Sequence, residues 1–450
     1  FMTLTGGGLS EDMVKVITYG TYDMLHYGHI RLLQRAKLLG DYLVVGITSD
    51  DYDKTRGKIN NQQSLMERIE AVRRTGFADE IIVEEYEGQK IDDIKRLDID
   101  IFTVGSDWEG HFDYLSEYCK VIYLPRTEGI SSSLIRTEKR KLRIGVTGLT
   151  SFVKKFIAES KFVNGVEISG IYATETSGSM AESGLYFASS YDELLEMSDA
   201  VCVVSMPENH YDDIMTALRA GKHVICESPV ALSAEACREC FREADERGLV
   251  LMDAIKTAYS TAYSRLVLLA KSGKIGHVVS VDSVCTSLAE QGRGWNTICE
   301  WGPAGMLPVF QILGTDYSKK SLSVKFSDKE ANIDAFTKID FVYPSAVASV
   351  KVAKGAKSEG VLVITGTEGY IYVPAPWWKT DYFEVRREDQ ERNSRFFYQL
   401  EGEGIRYAIV TFAKSAETHK DSGMIAEGVS EAIAGIICDF NERKDMTEFA

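Results

Sequence analysis

The 450-residue sequence is short of positive charge and has no long apolar run. It carries 51 lysines and arginines against 67 aspartates and glutamates, which gives a formal net charge of −16. Nucleic acids and anionic membranes bind concentrated basic surfaces, so this balance argues against both as partners. No segment approaches the ~18 continuous apolar residues of a membrane-spanning helix, and the first residues, FMTLTGGGLSEDM, do not read as a signal peptide. We therefore expect a cytoplasmic protein with a flexible tail over residues 1–12.

Cysteines are few and scattered, and they predict no metal site. Among the eight cysteines, only Cys237 and Cys240 form a CxxC pair, within the helical pattern AEACRECFREADERG. A zinc site would need a second such pair or a nearby pair of histidines, and neither is present. Reduced thiols in a cytosolic protein are therefore the better interpretation.

Two α/β patterns and one β-rich pattern follow one another along the chain. Over residues 13–139, strand-like apolar runs alternate with helical segments, which is typical of a doubly wound parallel sheet. Residues 140–258 repeat this pattern and predict a second Rossmann-like domain. Residues 259–450 change to alternating apolar and polar runs joined by Gly, Pro and charged turns, which predicts an antiparallel sheet in an α+β domain.

The stretch YGTYDMLHYGHI, residues 19–30, follows the first strand-like run and contains His26 and His29. In an open α/β sheet, ligands bind beyond the carboxyl ends of the strands, and the first strand-to-helix turn is such a place. Gly20 and Thr21 can bring backbone close to a phosphate, and the following helix N-terminus offers free N–H groups. The histidines could stabilise charge in phosphoryl chemistry. From these residues alone, two locally satisfied histidines at a helix start are an equal alternative.

Three motifs of the first pattern, taken together, resemble a known family. They are YGTYDMLHYGH, GSDWEG and YLPRTEGISSSLIR, in that order along the chain. They resemble the nucleotidyltransferase superfamily and, within it, the glycerol-3-phosphate cytidylyltransferases, over residues 13–136. The resemblance implies transfer of CMP from CTP to a small phosphorylated polyol, with glycerol 3-phosphate as first choice, and use of Mg²⁺. It also implies a homodimer or a higher homo-oligomer.

The same resemblance implies roles for individual residues, and no protein side chain is expected to bind the metal. His26 and His29 would contact the α- and β-phosphates, and Lys58, with Lys54 as an alternative, would neutralise a phosphate. The predicted catalytic residues are His26, His29, Lys58 and Arg126. The predicted nucleotide-binding residues are Gly20, Thr21, Tyr22, Asp23, Arg68, Asp107, Trp108, Ile130, Ser131 and Ser132.

Residues 142–330 resemble the glucose–fructose oxidoreductase and inositol dehydrogenase family, chiefly through MPENHYDDIMTALRAGKHVICESPVALSAEAC. The resemblance implies NAD(P) binding and redox chemistry on sugars or polyols, but several working positions depart from the family pattern. Two glycines of the phosphate-binding loop, the acid at the ribose position, a proton-donating lysine, and an Asp and a His of a later motif are missing. The residues at or next to these positions are Thr150, Val153, Glu175, Ser228, Pro308 and Ile312.

These departures predict a catalytically silent module without NAD(P), because serine, proline and isoleucine cannot serve as general acids near neutral pH. An NAD(P)-dependent reductase that makes the polyol phosphate for the first domain stays open as the alternative. Two histidines are interpreted as structural, and four tryptophans as core or interface residues rather than a sugar pocket. They are His210, His223, Trp295, Trp301, Trp377 and Trp378.

Overall fold

The chain forms two compact units, residues 1–140 and 141–450, in a computed structural model. The predicted tail, Lys58, Arg126, Ile130, Ser131, Ser132, Thr150 and Glu175 lie outside the described residues. The finer boundary at residue 258 stays a prediction. The described residues are 13–55, 61, 63–86, 88–125, 141–148, 151–163, 165–173, 185–288, 295–398, 400, 402–420 and 423–450, without the side chains of 53–55 and 151.

The first unit is built on a five-stranded parallel sheet with the order β3-β2-β1-β4-β5, as the sequence predicts. The order reverses at β1, so a crevice opens at the carboxyl ends of β1 and β4. The strands are β1 (Lys15–Gly20), β2 (Tyr42–Thr48), β3 (Glu80–Glu84), β4 (Ile101–Gly105) and β5 (Lys120–Leu124). The helices are α1 (Tyr27–Lys37), α2 (Asp50–Thr55), α3 (Leu65–Arg74) and α4 (Gln89–Leu97).

The strands of this sheet are apolar in nearly continuous runs because both faces are covered. Val16 and Val45 pack into the hydrophobic cluster on one face, whereas Ile17 and Val44 pack into the cluster on the other. Strands buried on both faces lose the polar alternation of a half-exposed strand. This packing on both faces holds the carboxyl ends of β1, β2 and β4 in fixed positions around the crevice.

The second unit contains another parallel sheet, with the order β10-β9-β8-β6-β7. Its strands are β6 (Leu142–Thr147), β7 (Val166–Tyr172), β8 (Ala200–Val203), β9 (His223–Cys226) and β10 (Leu251–Asp253). Its helices are α5 (Ser151–Ser160), α6 (Tyr191–Glu196), α7 (Pro207–Arg219) and α8 (Ala234–Glu246).

A nine-stranded sheet completes the second unit, in the order β18-β17-β16-β15-β11-β14-β13-β12-β19. Most pairs run antiparallel as predicted, but β11–β14 and β12–β19 are parallel. Parallel neighbours need a long crossover, and a helix lies in each of these two connections. The strands are β11 (Val278–Thr286), β12 (Lys319–Asp328), β13 (Ile333–Val342), β14 (Val347–Ala353), β15 (Leu362–Gly366), β16 (Tyr370–Val373), β17 (Tyr382–Arg386), β18 (Ser394–Phe397) and β19 (Met446–Glu448). The helices are α9 (Thr261–Lys271), α10 (Thr297–Leu313), α11 (Ile405–Thr418) and α12 (Glu427–Asn441). Among the described residues, no helix is long and apolar enough to cross a membrane.

Candidate functional site

His26 is the N-cap of α1, at the turn that follows β1. Its backbone is extended, and its Nδ1 accepts a hydrogen bond from the backbone N–H of Gly28 at 3.1 Å. The His26 carbonyl accepts from the N–H of Ile30 at 3.0 Å, which closes the first helical turn. The imidazole therefore caps the helix N-terminus, as a Ser or Asp side chain does at most helix starts. This bond also fixes which ring nitrogen is the acceptor.

His29 stacks on His26, with ring centroids 3.9 Å apart and an angle of 21° between the rings. The ring of Tyr22 meets His29 edge-on at 5.5 Å. Tyr22 and Met24 both have left-handed backbone, with φ of 52° and 48°. Non-glycine residues adopt this region at a cost of order 1 kcal/mol, so the turn is shaped by its surroundings. The two histidines are thus held side by side.

Asp23 fixes the turn to the start of α3. Its Oδ1 accepts from the backbone N–H of Gln63 at 3.0 Å, and the Gln63 side-chain oxygen accepts from the Met24 N–H at 2.8 Å. The next residue, Ser64, caps α3 through a reciprocal capping box with Glu67. Asp23 is buried, and its hydrogen bond with the Gln63 N–H has a structural role. Its contact with nucleotide stays a prediction.

Arg68 lies fully buried behind the turn. Its Nη1 donates to the carbonyl oxygens of Thr21 at 2.7 Å and Thr48 at 2.9 Å, and its Nη2 pairs with Asp50. One guanidinium therefore joins the carboxyl ends of β1 and β2 to the start of α2. These contacts make Arg68 a positioning residue, and direct binding of nucleotide by it stays a prediction.

A small cleft opens at the carboxyl ends of β1, β2 and β4. Three predicted site residues, Gly20, Thr21 and Trp108, line it together, and the other lining residues were not predicted. The complete lining is Tyr19, Gly20, Thr21, Thr48, Lys90, Val104, Trp108 and Phe112.

Lys90 supplies the cation of this lining. It is buried near the start of α4, paired with the buried Glu84, and its Nζ lies 4.7 Å from the centroid of the Tyr19 ring. The Tyr19 hydroxyl donates to Asp93 at 2.9 Å, and burial together with Asp93 raises the pKa of this phenol. The sequence analysis did not predict Lys90. Its position on the buried face of the helix that follows β3 is the feature that could have indicated it.

Asp107 and Trp108 lie in a short 3₁₀ turn directly after β4. The Trp108 ring meets His111 edge-on at 5.6 Å and lies 5.8 Å from Phe112. Lys54 belongs to α2, but its side chain is not among the described side chains. Whether Lys54 or Lys58 neutralises a phosphate therefore stays open. The structure thus brings Gly20, Thr21 and Trp108 to one cavity and stacks His26 on His29. The roles of Lys58 and of the predicted residues beyond 125 stay predictions.

The side chains offer no dedicated metal site within the described ranges. Those residues contain no group of three or more His, Cys, Asp or Glu that could hold a metal ion. Cys237 and Cys240 are free thiols buried in α8. Mg²⁺ usually keeps several waters and binds substrate phosphates with one or two carboxylates. It would therefore fit this site only as a companion of a bound triphosphate.

In the second unit, Ser228, which the resemblance predicts to replace a proton-donating lysine, is buried. Its hydroxyl donates to Asp253 Oδ2 at 3.2 Å, and Ser430 donates to the same oxygen at 2.7 Å. Val153, at a glycine position of the phosphate-binding loop, is fully buried, and Pro308 is buried within α10. None of these three side chains, Ser228, Val153 and Pro308, is a group that transfers protons near neutral pH.

Asp253 gives this interior a pH dependence that can be measured. Burial raises the pKa of its carboxyl to about 6, against the bonds from Ser430 and Ser228. The unfolded chain then loses the Asp253 proton first. The free energy of unfolding therefore falls by about 3 kcal/mol as pH rises from about 4 to 6.

Asp253→Asn should remove this part of the pH dependence in urea unfolding of the full chain. Asp282→Asn, at an exposed aspartate that also bonds a serine, should leave the slope unchanged. A wild-type slope retained in Asp253→Asn would contradict the assignment.

The remaining histidines and tryptophans of the second unit are mostly structural. The two ring nitrogens of His210 lie 2.7 and 2.8 Å from backbone carbonyl oxygens, and His223 Nδ1 accepts from the Val250 N–H at 3.1 Å. Trp377 is fully buried and donates to the Val284 carbonyl at 3.1 Å. Trp301 and Trp378 meet edge-on at 5.0 Å and are only partly buried.

The comparisons with known proteins agree with both resemblances noted from the sequence. Residues 17–138 match the family model described as cytidylyltransferase-like, and residues 142–254 match that of the oxidoreductase family with an NAD-binding Rossmann fold. Glycerol-3-phosphate cytidylyltransferase of Bacillus spizizenii is 48% identical over 130 residues, which are 29% of this chain and 100% of that protein. The enzyme of the same name from Staphylococcus aureus is 48% identical over 130 residues, 28% of this chain and 95% of that protein.

Solved structures resemble the second unit in fold. KijD10, a 3-ketoreductase from Actinomadura kijaniata in complex with NADP and TDP-benzene, has a TM-score of 0.61 at 18% identity, covering 69% of this chain and 100% of its own. Identity this low carries the fold alone. The identity over the first unit is much higher and spans 100% and 95% of the two cytidylyltransferases. The chain therefore belongs, through its first unit, to the cytidylyltransferase-like family of nucleotidyltransferases.

Proposed function

We propose that the first unit transfers CMP from CTP to a small phosphorylated polyol, with glycerol 3-phosphate as first choice, and releases pyrophosphate. The stacked pair of His26 and His29 at the first strand-to-helix turn supports this most directly. Such a turn is where an open α/β sheet binds phosphates. The name shared by relatives that the chain covers end to end agrees with this choice of acceptor.

The geometry of His26 supports a different role for each of its ring nitrogens. Because Nδ1 accepts from the Gly28 N–H, the proton of the neutral ring is on Nε2. Nε2–H is then a donor for a phosphate oxygen, and the stacked His29 adds a second imidazole beside it. Preorganised donors of this kind stabilise the charge that develops as the α-phosphate reacts.

The reaction is a single displacement at the α-phosphorus of CTP. An oxygen of the acceptor phosphate forms the new bond, and the bond from the α-phosphorus to the pyrophosphate oxygen breaks. Proximity and charge stabilisation suffice for such a step, so no covalent enzyme intermediate is needed. Lys90, buried in a small cavity beside Trp108, is suited to hold a compact anionic acceptor. Mg²⁺ would be held by the triphosphate and water.

Release of pyrophosphate from CTP tests the acceptor. We expect glycerol 3-phosphate to give the highest kcat/KM in a panel with ribitol, erythritol and aminoalcohol phosphates. Lys90→Gln should raise KM for the acceptor more than for CTP, because the cation lies in the cavity. Lys37→Gln, at an exposed ion pair of the same unit, is the matched control. A higher kcat/KM with another phosphate would replace glycerol 3-phosphate and leave the transfer itself intact.

We also propose that the second unit is catalytically silent, because Ser228 is engaged by Asp253 and cannot replace the missing lysine. A reductase that makes the acceptor is the alternative. Reduced nicotinamide cofactor should keep its absorbance when the full chain is mixed with keto-polyol phosphates. Steady oxidation of NADH or NADPH that depends on such a substrate would establish the alternative instead.

A further inference from the structure

Three lysines of the second unit converge on one carboxylate. Lys155 Nζ donates to Glu403 Oε2 at 2.9 Å, Lys379 Nζ donates to Glu403 Oε1 at 2.5 Å, and Lys256 pairs with Oε2. Lys155 comes from α5, Lys256 from the turn after β10, and Lys379 from the turn that follows β16. We call Lys155, Lys256 and Lys379 the lysine triad.

The lysine triad has an excess of positive charge. Three ammonium groups on one carboxylate leave two positive charges. A phosphomonoester approaches two negative charges at neutral pH, so the two would balance. Solvent reaches the group, because the side chains of Lys155, Lys256 and Lys379 are 49%, 24% and 38% exposed. Such an excess is unexpected in a chain with a net charge of −16. The neighbouring pair of Arg406 and Glu159, at 2.8 Å, is neutral as a whole.

The backbone is shaped to hold Glu403 at this place. Gly402, Glu403 and Gly404 all have left-handed backbone, with φ of 58°, 55° and 93°. A Cβ at Gly402 would lie 2.1 Å from Glu159 Oε2, and one at Gly404 would lie 2.3 Å from the Lys256 carbonyl oxygen. Hydrogen bonds from the lysines outweigh the burial that opposes them and keep the pKa of Glu403 well below its ordinary value. Glu403 is therefore held as an ionised carboxylate among the three lysines.

A buried carboxyl that interacts electrostatically with Lys256 lacks a hydrogen-bond partner among the described residues. Glu227 follows β9, and its Oε2 atom is buried without a hydrogen-bond partner among the described residues. Burial, and then the nearby Glu300, raise the pKa of this carboxyl to about 8, although Lys256 opposes them. At neutral pH Glu227 therefore carries a proton that it can donate. Burying a polar atom without a partner is costly, which points to a missing ligand.

We propose that the lysine triad binds a phosphate group in the second unit, with Glu227 as a neighbouring donor for the same ligand. Free phosphate, a polyol phosphate and a nucleotide share this chemistry. The lysines supply charge-assisted hydrogen bonds to the phosphate oxygens, and Glu403 keeps the three ammonium groups together. This site uses no residue of the candidate active site in the first unit.

Hydrogen exchange of the full chain tests this site, with inorganic phosphate, glycerol 3-phosphate or NADPH added at constant ionic strength against chloride. We expect saturable protection of the peptides that contain α5 and residues 402–420. Lys379→Gln should weaken it about tenfold, the effect of losing one charge-assisted hydrogen bond. Lys271→Gln, at an exposed lysine elsewhere in the unit, should bind within about twofold of wild type. Lys379→Arg keeps the charge with a different donor geometry, so it should fall between wild type and Lys379→Gln. The probe that protects at the lowest concentration identifies the source of the phosphate.

Two results would overturn the proposal: no protection in the second unit with any of the three probes, or protection that Lys379→Gln leaves unchanged. CMP transfer is measured on the same variants. Because Lys379 lies outside the first unit, its substitution should leave that rate unchanged. Loss of the phosphate effect with normal transfer, or absence of transfer with a normal phosphate effect, therefore distinguishes failure of one proposal from failure of the other.

Discussion

His26→Asn should lower the kcat of CMP transfer by about 10²- to 10³-fold while the free energy of unfolding stays within about 0.5 kcal/mol of wild type. Asparagine keeps a side-chain acceptor for the Gly28 N–H, so the start of α1 remains capped. What it removes is the Nε2–H donor and the ring that stacks on His29. Steady-state kinetics and urea unfolding on the same preparation separate these two effects.

Two further variants serve as controls for this result. His26→Ala should lose the activity and also about 1 kcal/mol of stability, because it removes the cap as well. His277→Asn, in the second unit, should change neither quantity. If His26→Asn keeps kcat within about threefold of wild type, well short of the loss expected for a removed donor, the histidines are locally satisfied helix-start residues and the proposed chemistry is wrong.

Arg68→Ala should lower the free energy of unfolding by about 2–4 kcal/mol, because it leaves buried carbonyl oxygens without a donor. The change removes donors to the Thr21 and Thr48 carbonyls and leaves Asp50 without its buried cation. Because these contacts hold the ends of β1 and β2, CMP transfer should fall too. Chemical unfolding measures the loss, and saturating CTP should recover part of it if the site survives.

Arg73→Ala provides the matched control, since it removes an arginine from the same helix. Its side chain is 63% exposed and pairs only with Glu70 among the described residues, so we expect a loss below about 0.5 kcal/mol. Arg68→Lys keeps the charge but cannot reach three acceptors, so it should fall between the two. Equal stability of Arg68→Ala and Arg73→Ala would show that the buried network does not brace the turn.

The parallel sheets were predictable because their chemistry is local. Strands such as β1 and β2 are continuous apolar runs, and turn signals separate them from helices. The parallel pairing of β11 with β14 was not predictable in this way. It depends on a crossover that includes α10, and an alternating strand has the same pattern whichever neighbour it pairs with.

The candidate site was predictable only where one motif contains it. Gly20, Thr21 and the histidines lie within one short stretch, and Trp108 belongs to a second motif. Thr48 and Lys90 join Gly20, Thr21 and Trp108 only because the sheet order brings the ends of β1, β2 and β4 and the start of α4 to one cavity. The lysine triad was even harder to predict, since Lys155 and Glu403 are 248 positions apart. No spacing rule detects such a contact.

The most direct test of the central claim is phosphorus NMR of the full chain with CTP, Mg²⁺ and glycerol 3-phosphate. We predict that CTP disappears while pyrophosphate and a CDP-linked polyol appear in equal amounts, and that neither forms without the acceptor. CTP that stays intact with every phosphorylated polyol, or that is hydrolysed to CMP without entering a CDP-linked product, would contradict the account.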